Sequence, residues 1–138
     1  MKKTLTFLIL TLLSMNVSAE EALCANGNGY LLTAVNGNKY CLHKNDNMNW
    51  WSAFAWCDTA GGTLISINKD CDCTGFAECN TTVQCPNLYN IGKNNSVWSA
   101  TTYNSNTAYT VHLGSGNVTQ NNSVRTYAYH KPLCRLNP

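Results

Sequence analysis

The chain has 138 residues, eight cysteines and a formal net charge of +2 at pH 7, a size that fits one domain. Lys2 and Lys3 belong to an N-terminal segment with the features of a secretory signal, and without them seven basic residues balance seven acidic ones. That balance argues against a nucleic-acid partner, which needs a basic stripe. The longest apolar run, Leu5 to Leu13, falls well short of the roughly 20 residues that span a bilayer, which argues against membrane insertion.

Residues 1–19 combine the basic start, the apolar run and the small residues Val17-Ser18-Ala19 of a signal peptide, with cleavage expected after Ala19. Residues 20–138 then form a single domain, secreted or periplasmic. The stretch Gly29 to Val35, the turn Asn36-Gly37 and the stretch Lys39 to His43 predict an N-terminal hairpin, because Asn-Gly between apolar runs favours the tight turn. Trp50, Ala53, Phe54 and Cys57 recur at the spacing of one helix face, with Asn49 placed to cap and Gly61-Gly62 to stop it. Thr63 to Ile67 is expected to be a short buried strand. Cys71 to Cys85 carries too many turn residues and cysteines for a regular element, and reads as a stapled loop. Beyond it, Tyr109, Val111 and Leu113 alternate with Ala108, Thr110 and His112. Gly114 to Asn117 turns the chain into Val118 to Gln120, Asn121-Asn122-Ser123 forms another turn, and a last strand runs through Pro132 to Arg135. The expected class is α+β, one main helix packed on twisted antiparallel strands.

All eight cysteines, Cys24, Cys41, Cys57, Cys71, Cys73, Cys79, Cys85 and Cys134, lie after the signal. An even number in a short exported chain reads as a disulfide framework rather than a zinc site. Cys71 and Cys73 are too close to pair with each other. Their block therefore closes either as 71 with 85 and 73 with 79, or as 71 with 79 and 73 with 85. Cys24, Cys41, Cys57 and Cys134 form a second set.

The stretch Trp51-Ser52-Ala53-Phe54-Ala55-Trp56-Cys57 through Gly61-Gly62-Thr63-Leu64-Ile65 resembles the helix and following strand of the C-type lectin-like superfamily. Trp98-Ser99-Ala100-Thr101, Ala108 to Val111, Gly116-Asn117-Val118 and Cys134-Arg135 are similar to the C-terminal block of small secreted bacterial lectin-like domains and of retroelement-diversified receptor-binding proteins. The resemblance implies a C-type lectin-like fold with a long loop region, a Cys57–Cys134 bond and a Cys24–Cys41 bond on the N-terminal hairpin. It also implies a ligand face in the C-terminal block. The sugar-binding members hold calcium through carboxylates, whereas the corresponding strings here, Cys85-Pro86-Asn87 and Trp98-Ser99-Ala100, supply none. No metal and no cofactor is expected.

Asp70, Asp72 and Glu78 lie close together, and a solvated acidic loop is preferred over a cation site. His43, His112 and His130 are scattered, with no nucleophile or carboxylate pair at a catalytic spacing, so no enzyme is expected. Phe54 and Trp98 are assigned to the core, and one tryptophan among Trp50, Trp51 and Trp56 is expected to be exposed. Four Asn-x-Ser/Thr sequences, at Asn80, Asn94, Asn117 and Asn121, read as chance in an asparagine-rich chain. The informative feature is the wealth of Asn, Tyr, Ser and Thr between Asn94 and Tyr129. Tyrosine supplies rigid contact area with a polar tip, and asparagine supplies adaptable hydrogen bonds. The candidate ligand-binding residues are Tyr103, Asn104, Asn106, Asn117, Asn121, Asn122, Arg125 and Tyr127. The function expected is an exported, non-enzymatic module that recognises a cell-surface protein or glycan without calcium, in adhesion or a related role. A structural subunit of a bacterial surface appendage is the alternative.

Overall fold

A computed structural model describes residues 20–71, 85–89, 91–119 and 124–138. Along the chain, β1 (Leu23–Cys24) leads through one tight turn into β2 (Gly29–Thr33) and β3 (Lys39–His43), and then into the helix α1 (Trp50–Thr59). Next come β4 (Gly62–Leu64), the four-residue helix α2 (Ile67–Asp70), β5 (Ser96–Thr102), β6 (Ala108–His112), β7 (Val118–Thr119) and β8 (Lys131–Leu136). The hairpin turn forms where Asn36 predicts it, with its side chain accepting the Asn38 N–H at 3.1 Å. Asn49 caps α1 by accepting the Ser52 N–H at 2.8 Å, satisfying one of the donors a helix start leaves open. The helix turns its Ala53 and Cys57 face inward.

The strands follow the order β1-β2-β3-β8-β5-β6-β7, with β4 as an additional partner of β8. Along one edge β8 pairs antiparallel with β3, through Tyr40 opposite Arg135, Cys41 opposite Cys134 and Leu42 opposite Leu133. Its other edge is shared. Leu64 to Gly62 run antiparallel to Cys134 to Leu136, and Val97-Trp98 run parallel to Lys131-Pro132. The expectation of wholly antiparallel strands is corrected here: the sheet is mixed, because β5 and β8 pair parallel and are joined not by a tight hairpin but by the long stretch of chain that includes β6 and β7. Gly62 makes the β4–β8 approach possible, since a Cβ there would fall against the Arg135 carbonyl.

The expected strand Thr63 to Ile67 is also corrected, since β4 ends at Leu64 and Ile67 opens α2. The reason lies in a hydrogen bond: the Asp70 carboxylate accepts the Ser66 N–H at 2.8 Å, which closes a turn in place of an extended chain. An irregularity in β5 between Trp98 and Thr102 fits against this turn. There Thr101 Oγ1 accepts the Ile67 N–H at 3.0 Å.

Strand alternation separates two cores. On the helix side lie Cys41, Trp98, Ala108 and Cys134, packed with Ala53, Cys57 and Leu64. On the other side lie Tyr40, Leu42, Val97, Tyr109, Val111 and Leu133, packed with Ile65, Ile67, Leu88 and Leu113. Three disulfides join described residues. Cys24–Cys41 and Cys57–Cys134 are the two pairs that the resemblance implies. Because Cys41 sits opposite Cys134 in the sheet, both reach the helix side at the same level. Gly29 leaves room for the first of them: a Cβ there would stand 2.6 Å from Cys41 Sγ and 2.8 Å from Cys24 Sγ. Cys71–Cys85 staples the opposite side, which excludes the arrangement that pairs Cys71 with Cys79; the pairing of Cys73 with Cys79 lies outside the described residues.

Asp70 is not part of a solvated loop. It is buried, 1% exposed, and its carboxylate accepts from the Tyr40 hydroxyl at 2.9 Å, the Ser66 N–H at 2.8 Å and Arg135 Nη1 at 3.1 Å. Three donors, one of them cationic, compensate a charge that would otherwise be costly to bury. Asp72 and Glu78 lie outside the described residues.

Two outcomes follow from this architecture. Cys57 and Cys134 are 77 residues apart, so replacing both with serine removes roughly 4 to 5 kcal/mol in the chain-entropy account, measurable as a lowered denaturant midpoint in non-reducing buffer. Burial and the neighbouring Asp70 carboxylate push the Tyr40 phenol up to about 12 from its ordinary value near 10. The neutral phenol's contribution to stability is therefore fully present below pH 10 and is lost as pH rises towards 12. Denaturant titrations between pH 9 and 11.5 should show a falling stability that Tyr40→Phe flattens.

Candidate functional site

The start of α1 is held against the segment that leads into β8. Trp50 N–H donates to the Arg125 carbonyl at 3.0 Å, and Met48 N–H donates to the His130 carbonyl at 3.0 Å. Two indole donors secure the same junction: Trp98 Nε1 reaches the Met48 carbonyl at 2.7 Å and Trp50 Nε1 the Ser99 carbonyl at 2.8 Å. On its other side the 124–130 segment meets the β5–β6 loop, where Arg125 N–H donates to the Asn106 carbonyl at 2.9 Å and Thr107 bridges Val124. Three stretches distant in sequence are thus bound edge to edge.

Aromatic and cationic side chains stand on this junction. Arg125 lies over two indoles, its guanidinium carbon 4.8 Å from the Trp50 ring centre and 5.3 Å from that of Trp51. Trp50 is partly buried and wedged edge-on against Phe54 at 4.6 Å, whereas Trp51 is 51% exposed. Further along the same segment Tyr127 and Tyr129 are exposed, with ring centres 5.1 Å apart. Tyr103, in the β5–β6 loop, leans edge-on against the buried Tyr109 at 5.8 Å and leaves nearly half of its surface in solvent. Aromatic rings with few rotatable bonds offer contact area at low entropic cost, the character of a binding face.

Five of the residues singled out in the sequence, Tyr103, Asn104, Asn106, Arg125 and Tyr127, are brought together here. Their roles differ. Asn104 shapes the loop, its Oδ1 accepting the Asn106 and Thr107 N–H groups at 2.8 and 2.9 Å, and Asn106 supplies the carbonyl that fixes Arg125. Asn117 lies apart, in the β6–β7 turn beyond the His112 end of β6, where its N–H meets Ser115 Oγ at 3.3 Å. Asn121 and Asn122 lie outside the described residues. Two residues of this face, Trp51 and Tyr129, are not among the candidates that the sequence offers. Trp51 was hidden because local spacing does not tell which tryptophan of a helix escapes burial, and Tyr129 because alternation alone does not tell which side of the segment is covered.

Two of the three histidines are occupied locally, and the buried Nδ1 of the third, His130, has no hydrogen-bond partner among the described residues. His43 Nδ1 accepts the Asn45 and Asp46 N–H groups at 3.3 and 3.1 Å. His112 Nδ1 accepts the Ser115 N–H at 3.2 Å, with Ser115 Oγ 3.1 Å away, the geometry of a side-chain-closed turn. His130 packs edge-on against Trp98 at 4.6 Å, and burial holds its pKa below the usual value. Among the described residues no group of three or more His, Cys, Asp or Glu side chains is gathered as a metal site would require, nor is any helix long and apolar enough to cross a membrane. Comparison with models of known protein families and with curated proteins finds no match.

The two tryptophan environments call for different responses to truncation. Trp98→Ala, in the core, should cost about 3 to 5 kcal/mol, whereas Trp51→Ala should stay within about 1 kcal/mol because only exposed ring contact and one cation–π contact are lost; thermal and denaturant melts of both variants check this. Burial lowers both His43 and His130, so each is held neutral and its contribution is complete above pH 6.5 and lost as pH falls below it. Proton NMR titration should place both imidazoles below the reference value, and stability at pH 5 should be lower than at pH 7.

Proposed function

We propose that this chain is an exported, non-enzymatic binding module with a C-type lectin-like domain, secreted or periplasmic, which recognises a protein or glycan at a cell surface without calcium. The observation that carries the reading is the set of exposed rings of Tyr103, Trp51, Tyr127 and Tyr129 around the half-buried Arg125, built on backbone that hydrogen bonds hold in place. Rigid support beneath adaptable polar and aromatic groups is what a recognition surface needs.

Several features support the rest. The main helix is tied to the last strand through Cys57–Cys134, and the N-terminal hairpin carries Cys24–Cys41, the two bonds of the lectin-like pattern. Three disulfides suit an oxidising compartment. Calcium independence is supported at two positions. Trp98 is fully buried with its indole donor already used, and Asp70, the carboxylate that precedes the stapled loop, is committed to Tyr40 and Arg135.

Screening the oxidised mature protein against a glycan array and cell-surface preparations tests this, with calcium and with chelator. Binding should survive chelator. Alanine at Tyr103, Asn104, Arg125 and Tyr127 together should weaken binding at least about tenfold, roughly 1.4 kcal/mol, a modest demand for central aromatic and arginine contacts. Unchanged binding in that variant removes the site from this face. A defined oligomer with these residues protected from solvent, and no ligand in either screen, favours the appendage subunit.

A further inference from the structure

Arg125 distinguishes this face from a merely aromatic one. The described residues contain two ion pairs, Arg135 with Asp70 and Lys93 with Glu21. Arg125 joins neither, and among the described residues its guanidinium donates no hydrogen bond. Its Nε is buried with no acceptor, so the inner edge of the group is already short of partners and its Nη groups depend on what arrives from solvent. An arginine on a flexible stem would simply hydrate. This one is held: its backbone N–H is bound to Asn106, its carbonyl to Trp50, and its guanidinium lies over Trp50 and Trp51. The entropy of orienting it has been met before any ligand comes, which is the condition for a strong contact.

A guanidinium is a planar fork of donors that matches a planar carboxylate with two parallel N–H···O bonds. Beside it stand the exposed ring of Trp51 and, within four residues of the same segment, those of Tyr127 and Tyr129. Flat aromatic faces suit the C–H faces of a sugar ring, and their polar tips suit its hydroxyls. Resting on the recognition role assigned to this face above, we propose that it binds acidic saccharides, with Arg125 holding the carboxylate of a uronic or sialic acid residue and Trp51 and Tyr127 packing against the ring that bears it. Asn104 and Asn106 shape the loop and position Arg125 without touching the carboxylate.

The test uses the oxidised mature protein and two carboxylated probes, immobilised oligogalacturonate and a sialylated oligosaccharide, each beside its carboxyl-reduced, neutral counterpart. At least one acidic probe should bind at least tenfold more tightly than its reduced form, and binding should weaken as salt rises. Arg125→Gln should abolish that preference, while Arg125→Lys, which keeps the charge and loses the fork, should retain only part of it. Melting curves for each variant establish that it folds, and Trp51→Ala offers a second route to the site that leaves Arg125 in place. Equal binding of acidic and neutral forms, or a preference that survives Arg125→Gln, overturns the acidic-saccharide assignment while leaving the recognition face intact. No binding of either saccharide form overturns it as well. If cell-surface preparations are then retained by the wild type and lost by Trp51→Ala, the face stands with a different ligand; if Trp51→Ala and the fourfold alanine variant both retain those preparations, the face itself falls.

Discussion

Hydrogen bonding along both edges of β8 is the constraint from which the other placements descend. β3 occupies one edge, and β4 and β5 divide the other, so three consecutive residues alternate between the two sides with three different partners. Leu133 fills the core away from the helix, Cys134 crosses to α1 through its disulfide, and Arg135 returns to the first side to meet Asp70. A shift of one residue in this strand would send the cysteine to the wrong core and the arginine to the helix. The bond to Cys57 and the pairing with Asp70 therefore specify the register as well as adding stability.

The Asp70 cluster shows how such a small domain handles a buried charge. One carboxylate joins α2, β3 and β8 by accepting from Ser66, Tyr40 and Arg135. Replacing a member leaves the others with unmet hydrogen bonds, a larger penalty than the loss of a surface ion pair. The Cys71–Cys85 disulfide lies directly after it in the chain and packs in the same core, so polar and covalent ties fix the same corner from two sides.

The candidate site inherits its order from this frame. Residues 124–130 run directly into β8, and the first turn of α1 is bonded to them. Tyr103 and Asn104 come from the loop that joins β5 to β6. No long mobile side chain has to be ordered when a ligand arrives, because the tyrosines have few rotors and Arg125 is already settled on indole rings. The scaffold thus gathers its exposed aromatic groups where three connections meet and keeps the stabilising polar cluster on another part of the sheet.

Local chemistry was readable from the residues themselves. Asn49, the spacing of Trp50, Ala53 and Cys57, and the Gly61-Gly62 stop announce α1, because capping and periodicity act within a few residues; Asn36-Gly37 announces the hairpin for the same reason. The alternation of Tyr109, Val111 and Leu113 placed them in one core, and the Asn- and Tyr-rich composition pointed to the 103–127 region. Tertiary structure decided what depends on distant partners. The parallel pairing of β5 with β8, the burial of an aspartate that looks solvated in sequence, and the exposure of Trp51 rather than Trp50 all follow from contacts made across at least 30 residues. The meeting of Asn106 with Arg125 and of Arg125 with Trp50 is likewise a tertiary contact between separate segments. Periodicity reports which face of an element is apolar; only the packed sheet decides which neighbour covers that face, and so which polar and aromatic groups remain for solvent and for a ligand.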